Sequence, residues 1–324
     1  MTPDGFERVI GDRRQIASVR RIVLDEGAER GVRALLFSTG GGLDFMVLAD
    51  RSLDIGTVHY RGVPIAWQSP AGFPNPALHR PQDDNGRGFG RGFSGFMLTC
   101  GLDHIRQPSG DAPLHGRLPF TPARITACGE AWDCAEPVLF CEGEITQFRH
   151  GGESFRLFRR IEAPIGGTAI RIRDRVLNAA NAPWPHAILY HLNLGYPAVR
   201  PGTTVRLGGE AVFGPVEILP QASAGPPVCH PVSAGRAECV VESGAEADAF
   251  RLSCGFDGAA LPFLQVWADL TAHAGVLSIE PCTSDRLPQG GSVDARPLAA
   301  REERTYGLDL DLTGQAPALG RIGE

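Results

Sequence analysis

Apolar and polar residues alternate along this chain at a period of two, and almost nowhere at the 3.6-residue period of a helix. Tyr306, Leu308, Leu310 and Leu312 alternate with Gly307, Asp309 and Asp311, the pattern of a strand with one buried face. Ile170 and Ile172 against Arg171 and Arg173 repeat it. Further strand-like runs begin at Arg33, Asp44, Val138, Phe155, Pro185, Cys239, Phe250, Pro262 and Gly275. The 41 Gly and 26 Pro residues fall between these runs as turn punctuation rather than in one linker. So many strands with so few helices predict an all-β fold, a large antiparallel sandwich or barrel occupying residues 1–324 as one domain.

One segment breaks the rhythm. Residues 69–92 are dominated by Pro, Gly, Asn and Asp without apolar periodicity, which predicts a long loop, and loops of that length are often lids over a ligand. The segment runs into Gly90-Arg91-Gly92-Phe93-Ser94-Gly95, which satisfies GxGxxG. A dinucleotide fingerprint needs a strand before it, a helix after it and an acidic residue about 20 positions on. Here a polar loop precedes and the strand-like Phe96-Met97-Leu98-Thr99-Cys100 follows, so a flexible Gly/Arg loop is expected.

Composition narrows the chemistry. A hydrophobic content of 43% over 324 residues supports a substantial core, and a net charge of −6 argues against nucleic-acid or anionic-membrane partners. All 31 basic residues are arginine. Without lysine, Schiff-base enzymes and a Walker A nucleotide site are excluded. The eight cysteines contain no CxxC pair, the opening residues carry no signal-like apolar run, and no apolar stretch reaches the about 20 residues of a membrane helix. These features predict reduced thiols in a cytoplasmic protein.

Three segments concentrate polar residues of catalytic type. In Leu114-His115-Gly116-Arg117, a histidine and an arginine flank a glycine that permits close approach of a ligand to the backbone. By itself it reads by default as a surface histidine. In the strand-like 187–197 run, His191 and Asn193 project from one face while Tyr190, Leu192 and Leu194 project from the other. The apolar face takes the core, so His191 and Asn193 meet either water or a polar cleft. In Leu277-Ser278-Ile279-Glu280-Pro281, Glu280 stands at a strand end with Ser278 on the same face. A carboxylate there suits a general base beside a cleft or a solvated strand end.

Taken together, His115, the Tyr190-His191-Leu192-Asn193-Leu194-Gly195-Tyr196-Pro197 run and the Glu280 segment resemble the aldose 1-epimerase, or galactose mutarotase-like, superfamily. Within it, the residues 48–56, 93–102 and 264–267 resemble a poorly characterised bacterial branch known as a domain of unknown function. The resemblance implies a β-supersandwich with a monosaccharide or sugar-derivative cleft on one sheet. It implies Glu280 as the base that takes the C1 hydroxyl proton, His191 as the acid that protonates the ring oxygen, and His115 as the residue that places and polarises that oxygen. Such chemistry calls for no metal or other cofactor.

The chain departs from the superfamily's usual motifs: Tyr190 precedes His191, and Arg117 follows Gly116 where a second glycine is common. Arg117 and Arg51 suit an anionic sugar or neutral hydroxyls, since a guanidinium fork serves both. Asp54 is expected to orient Arg51, Trp267 to stack on a sugar face or fill the core, and His104 to join the pocket. Two other readings stay open: a carbohydrate-binding protein without efficient turnover, and a metal-dependent isomerase or lyase using His104, His115, His191 and Glu280.

Overall fold

The computed structural model describes residues 8–244, 249–287 and 296–317. Within them the alternating runs form two large sheets whose neighbouring strands run antiparallel. The eleven-stranded sheet has the order β1 (Ser18–Val23), β2 (Arg33–Ser38), β3 (Leu43–Leu48), β4 (Asp54–Tyr60), β6 (Met97–Leu102), β11 (Trp184–Leu194), β18 (Val276–Cys282), β17 (Phe263–Asp269) and β14 (Val228–Pro231). Off this path, β5 (Val63–Pro64) pairs with β4 and β19 (Arg296–Leu298) with β11. The nine-stranded sheet has the order β13 (Glu210–Phe213), β12 (Thr204–Leu207), β15 (Arg236–Ser243), β16 (Phe250–Asp257), β20 (Glu303–Gly314), β10 (Ala169–Asn178), β9 (Ser154–Pro164), β8 (Val138–Phe148) and β7 (Arg124–Ala131). The fold is the all-β antiparallel sandwich that the period-two pattern predicts.

The core lies between the sheets. Tyr306, Leu308, Leu310 and Leu312 of β20 enter it, as do Tyr190, Leu192 and Leu194 of β11. On β9, Phe155, Leu157, Ile161 and Ala163 point inward, and Arg159 occupies the central inward position between them. Arg159 ties the two sheets together. Its Nε and Nη2 donate to Asp174 on β10 at 2.9 and 2.6 Å, and its Nη1 donates to the Ser52 carbonyl at 3.1 Å. The Tyr190 hydroxyl donates to the same Asp174 carboxylate at 2.7 Å. Asp54 on β4 accepts from the Thr99 amide at 2.9 Å and from Arg159 at 3.4 Å. A buried charge is costly unless paired and hydrogen-bonded; Arg159 and Asp174 meet that condition, while Asp54 bonds through Oδ1 alone and its Oδ2 has no partner.

The eleven-stranded sheet is covered on its outer face as well. Leu98, Cys100, Ala187, Leu189 and Cys282 form a second apolar cluster there with Phe89 and Ile105 from the connecting loops. The 69–92 segment therefore packs down rather than waving in solvent, and it contains short helical turns at Pro76–Leu78, Asp83–Gly86 and Phe89–Gly92. Among the described residues no helix is long and apolar enough to cross a membrane.

Two stability predictions arise from the strut. Arg159→Met leaves Asp174 and Asp54 buried without their cation, and should lower unfolding free energy by about 3–5 kcal/mol in urea titrations. A loss under 1 kcal/mol would show the strut to be energetically idle. Burial raises the Asp54 carboxyl from 3.8 to about 6, against the opposing pull of Arg159 and Arg51. Since the folded state holds this proton more tightly than the unfolded one, the contribution of Asp54 favours folding at low pH and is lost as pH rises from 3.8 through about 6. Asp54→Asn should flatten the pH dependence of the urea midpoint across that window; an unchanged slope would contradict it.

Candidate functional site

Strand register builds the site. Asn193 on β11 lies opposite Ser278 on β18, and the same register sets His191 opposite Glu280. One strand further, Gln265 of β17 lies opposite Glu280 and Trp267 opposite Ser278. Residues two apart share a face, so six side chains from three neighbouring strands form a polar grid on the outer face. His191, Glu280, Gln265 and Trp267 face a cavity of about 340 Å³, walled also by Phe89 and Gly90 from the 69–92 segment, by Phe93 just after it, and by Leu114, His115 and Arg286, while Asn193 and Ser278 stand behind them.

Hydrogen bonds fix the protons on this grid. The Asn193 amide nitrogen donates to the Gly95 carbonyl at 3.0 Å, so its oxygen faces the other way. That oxygen accepts from the Ser278 hydroxyl at 2.7 Å and lies 2.6 Å from Nδ1 of His191. Nδ1 must therefore carry a proton, and Nε2 is the atom that exchanges one. Nε2 stands 3.4 Å from Oε1 of Glu280. Glu280 is 1% exposed, and Oε1 has no hydrogen-bond partner, while Oε2 accepts from Gln265.

His115 sits across the cavity with its ring 5.5 Å from that of His191 and edge-on to it. Its Nδ1 donates to the Ile105 carbonyl at 3.0 Å. Burial, and then the neighbouring His191, push the His115 imidazole well below its ordinary value. The ring is thus neutral near pH 7 and presents a bare Nε2, an acceptor for a hydroxyl. Gly116 has a specific reason: its φ is +76°, and a Cβ there would lie 2.3 Å from the Gly101 carbonyl oxygen and 2.4 Å from that of His104. The close approach that the glycine permits is to the chain's own strand β6 rather than to a ligand, and it fixes His115 over the sheet.

The remaining expected residues divide. Trp267 lines the cavity with its face near Phe93, at a ring separation of 6.2 Å. Asn193 acts from behind His191. Arg117 does not reach the cavity: it donates to Asp103 at 3.0 Å and to the Asp111 carbonyl at 2.7 Å, closing its own loop. His104 turns its Nε2 to the Gln107 carbonyl at 2.7 Å. Arg51 is buried in the β3–β4 turn against a separate cavity of about 10 Å³, and Asp54 bonds Thr99 and Arg159 instead of orienting it. The 48–56 motif is thus a turn and an inter-sheet tie. Among the described residues, no three His, Cys, Asp or Glu side chains are grouped to hold a metal ion.

Phe89, Phe93, Gln265, Arg106 and Arg286 escaped the sequence reading. Phe93 and Gln265 fall within the 93–102 and 264–267 runs, and Gln265 also lies two positions before Trp267 on one strand face. The aromatic pair sits in a loop without periodicity.

The sequence profile of a domain family of unknown function, DUF4432, matches residues 29–312. The chain belongs to that family. No curated protein matches it in sequence. Solved structures do match in fold. A Klebsiella pneumoniae protein whose proposed activity is aldose 1-epimerase superposes with a TM-score of 0.80 at 19% identity, covering 98% of this chain and 87% of that one. A galactose mutarotase-like protein from Clostridium acetobutylicum gives 0.58 at 12%, covering 92% and 98%. A galactose 1-epimerase from Lactobacillus acidophilus gives 0.51 at 9%, covering 92% and 99%. At these identities the likeness is one of fold: this DUF4432 chain is a galactose mutarotase-like β-sandwich.

The proton placement in this DUF4432 site is directly testable. Two-bond 1H–15N correlation spectra should show His115 protonated at Nδ1 alone, with a bare Nε2. For His191, Asn193→Ala should move the neutral ring toward the Nε2-protonated form, because the acceptor that holds the Nδ1 proton is gone. A His191 tautomer indifferent to Asn193 would sink the assignment.

Proposed function

We propose that the chain is an aldose 1-epimerase-type isomerase, interconverting the anomers of a monosaccharide or sugar derivative by acid–base opening and closure of the ring. The observation that carries this reading is the bare Oε1 of Glu280, 3.4 Å from Nε2 of His191 at the wall of the cavity. Anomer exchange requires a base at the C1 hydroxyl and an acid at the ring oxygen, which are the two ends of one O–C–O unit. A carboxylate oxygen and an imidazole nitrogen at this spacing match those ends.

In the proposed reaction Glu280 starts ionised and His191 protonated. Oε1 of Glu280 takes the proton of the C1 hydroxyl, whose electron pair becomes the C1=O double bond. The bond from C1 to the ring oxygen breaks, and its electrons take the proton from Nε2 of His191. Rotation about the C1–C2 bond presents the other carbonyl face, and reversal of the transfers closes the second anomer. Asn193 keeps the other imidazole proton on Nδ1, so His191 exchanges only its Nε2 proton. His115, neutral and bare at Nε2, accepts a sugar hydroxyl rather than polarising the ring oxygen. Phe93 and Trp267 supply apolar surface for the sugar's C–H face. The volume falls within the range of about 300–1,000 Å³ usual for small-ligand clefts, and the shared fold with the epimerases above supports the same reading.

Exchange spectroscopy by NMR against a panel of neutral, deoxy and uronic sugars tests it. One sugar should show accelerated anomer exchange, and Glu280→Gln should lower that rate by about 10²–10⁴-fold while binding changes little. Activity should persist after exhaustive chelation, because both transfers use protein groups alone. Full exchange in Glu280→Gln would overturn the proposal.

A further inference from the structure

The two oxygens of Glu280 differ in their surroundings, and the cause lies one layer behind the cavity. Arg106, in the loop after β6, is 1% exposed. Its Nη1 donates to Oε1 of Gln265 at 2.9 Å, and its Nη2 donates to the Ser284 carbonyl and, at 3.4 Å, to the Cys282 sulfur. A guanidinium has no acceptor, so Gln265 must turn its oxygen toward Arg106 and its amide protons away. That amide nitrogen donates to Oε2 of Glu280. An isolated glutamine could flip and offer either end. Here Arg106 removes that freedom.

We propose that Arg106 is a positioning residue that acts on Glu280 through Gln265, committing Oε2 to a permanent donor and leaving Oε1 as the single oxygen open to a substrate proton. Arg106 does not line the cavity and so does not touch a substrate. Its work is orientational. The carboxyl group would otherwise rotate about its terminal torsion, which is broad and two-fold, and would present either oxygen to His191. The chain from Arg106 to Glu280 spans three elements, the loop after β6, then β17, then β18, so the base is aimed by tertiary packing and not by its own strand. The catalytic meaning of this aim rests on the function proposed above; the hydrogen-bond relay itself does not.

Gln265→Glu is the discriminating variant. It is nearly isosteric and keeps a partner for Arg106, so the fold should hold. But it replaces the amide donor by a second carboxylate facing Glu280. Two carboxylates at hydrogen-bond distance hold a shared proton. Infrared difference spectra of the sugar-free protein should therefore gain a protonated-carboxyl C=O band in Gln265→Glu, and lose it again when Glu280→Gln is added. Arg106→Met should alter the carboxylate stretches that the Glu280→Gln difference assigns to Glu280, because Gln265 is then free to flip. With a sugar that the parent turns over, Arg106→Met should lower kcat by about 10–10²-fold, as expected for a misaimed group, with KM little changed. Arg106→Lys should not restore it, since an ammonium lacks the planar fork.

Unchanged infrared bands in both Gln265→Glu and Arg106→Met would overturn the relay whatever the activity. Altered bands in a parent that exchanges no sugar's anomers would uphold the relay and count against the isomerase reading instead. Altered bands with unchanged kcat in an active parent would overturn the positioning role while leaving the hydrogen bonds in place.

Discussion

The site depends on one constraint, the common register of β11, β18 and β17. Antiparallel pairing sets Asn193 against Ser278 and Glu280 against Gln265, so polar side chains far apart in sequence become lateral neighbours. A slip of one residue on β18 would turn Ser278 and Glu280 into the sandwich core and bring Leu277 and Ile279 out. The apolar inner face resists that slip: Tyr190, Leu192, Leu194, Leu277 and Ile279 all lie in the main core. Burial on one face thus holds the chemistry on the other.

Placing so many polar groups out of water is costly unless their donors and acceptors are matched. The grid meets this by chains of fixed direction. Gly95 orients Asn193, which with Ser278 orients His191; Arg106 orients Gln265, which orients Glu280. Two atoms of these chains have no partner: Nε of Arg106, behind the cavity, and Oε1 of Glu280, at the point where a ligand would sit. The arginine-only basic set fits this architecture. Arg106 and Arg159 are both wholly enclosed, and each bonds several acceptors through one planar fork, which an ammonium cannot do in the same geometry.

Strands and loops divide the labour. Strands carry His191, Glu280, Gln265 and Trp267, where backbone pairing limits movement, while the loop before β6 and the 104–117 loop supply Phe89, Phe93 and His115. Walls built on loops can change without disturbing the register.

The all-β class, the inward stripes of β9, β11 and β20, and the candidacy of His115, His191, Asn193, Glu280 and Trp267 were legible in the sequence, since a period of two is a local property and these residue types stand out against it. The roles of Arg51, Asp54 and Arg117 were not legible. Their chemistry suits a sugar equally well, and only the packing shows Asp54 and Arg159 tying the two sheets and Arg117 closing onto Asp103. Phe89 and Phe93 were hidden because a loop has no period to betray which side chains turn inward. Arg106 was hidden because its partner, Gln265, lies 159 residues away. Sequence alternation determines which face of a strand a residue occupies. Which strand comes to lie beside it, and so which atom receives each proton, is decided only when distant segments pair.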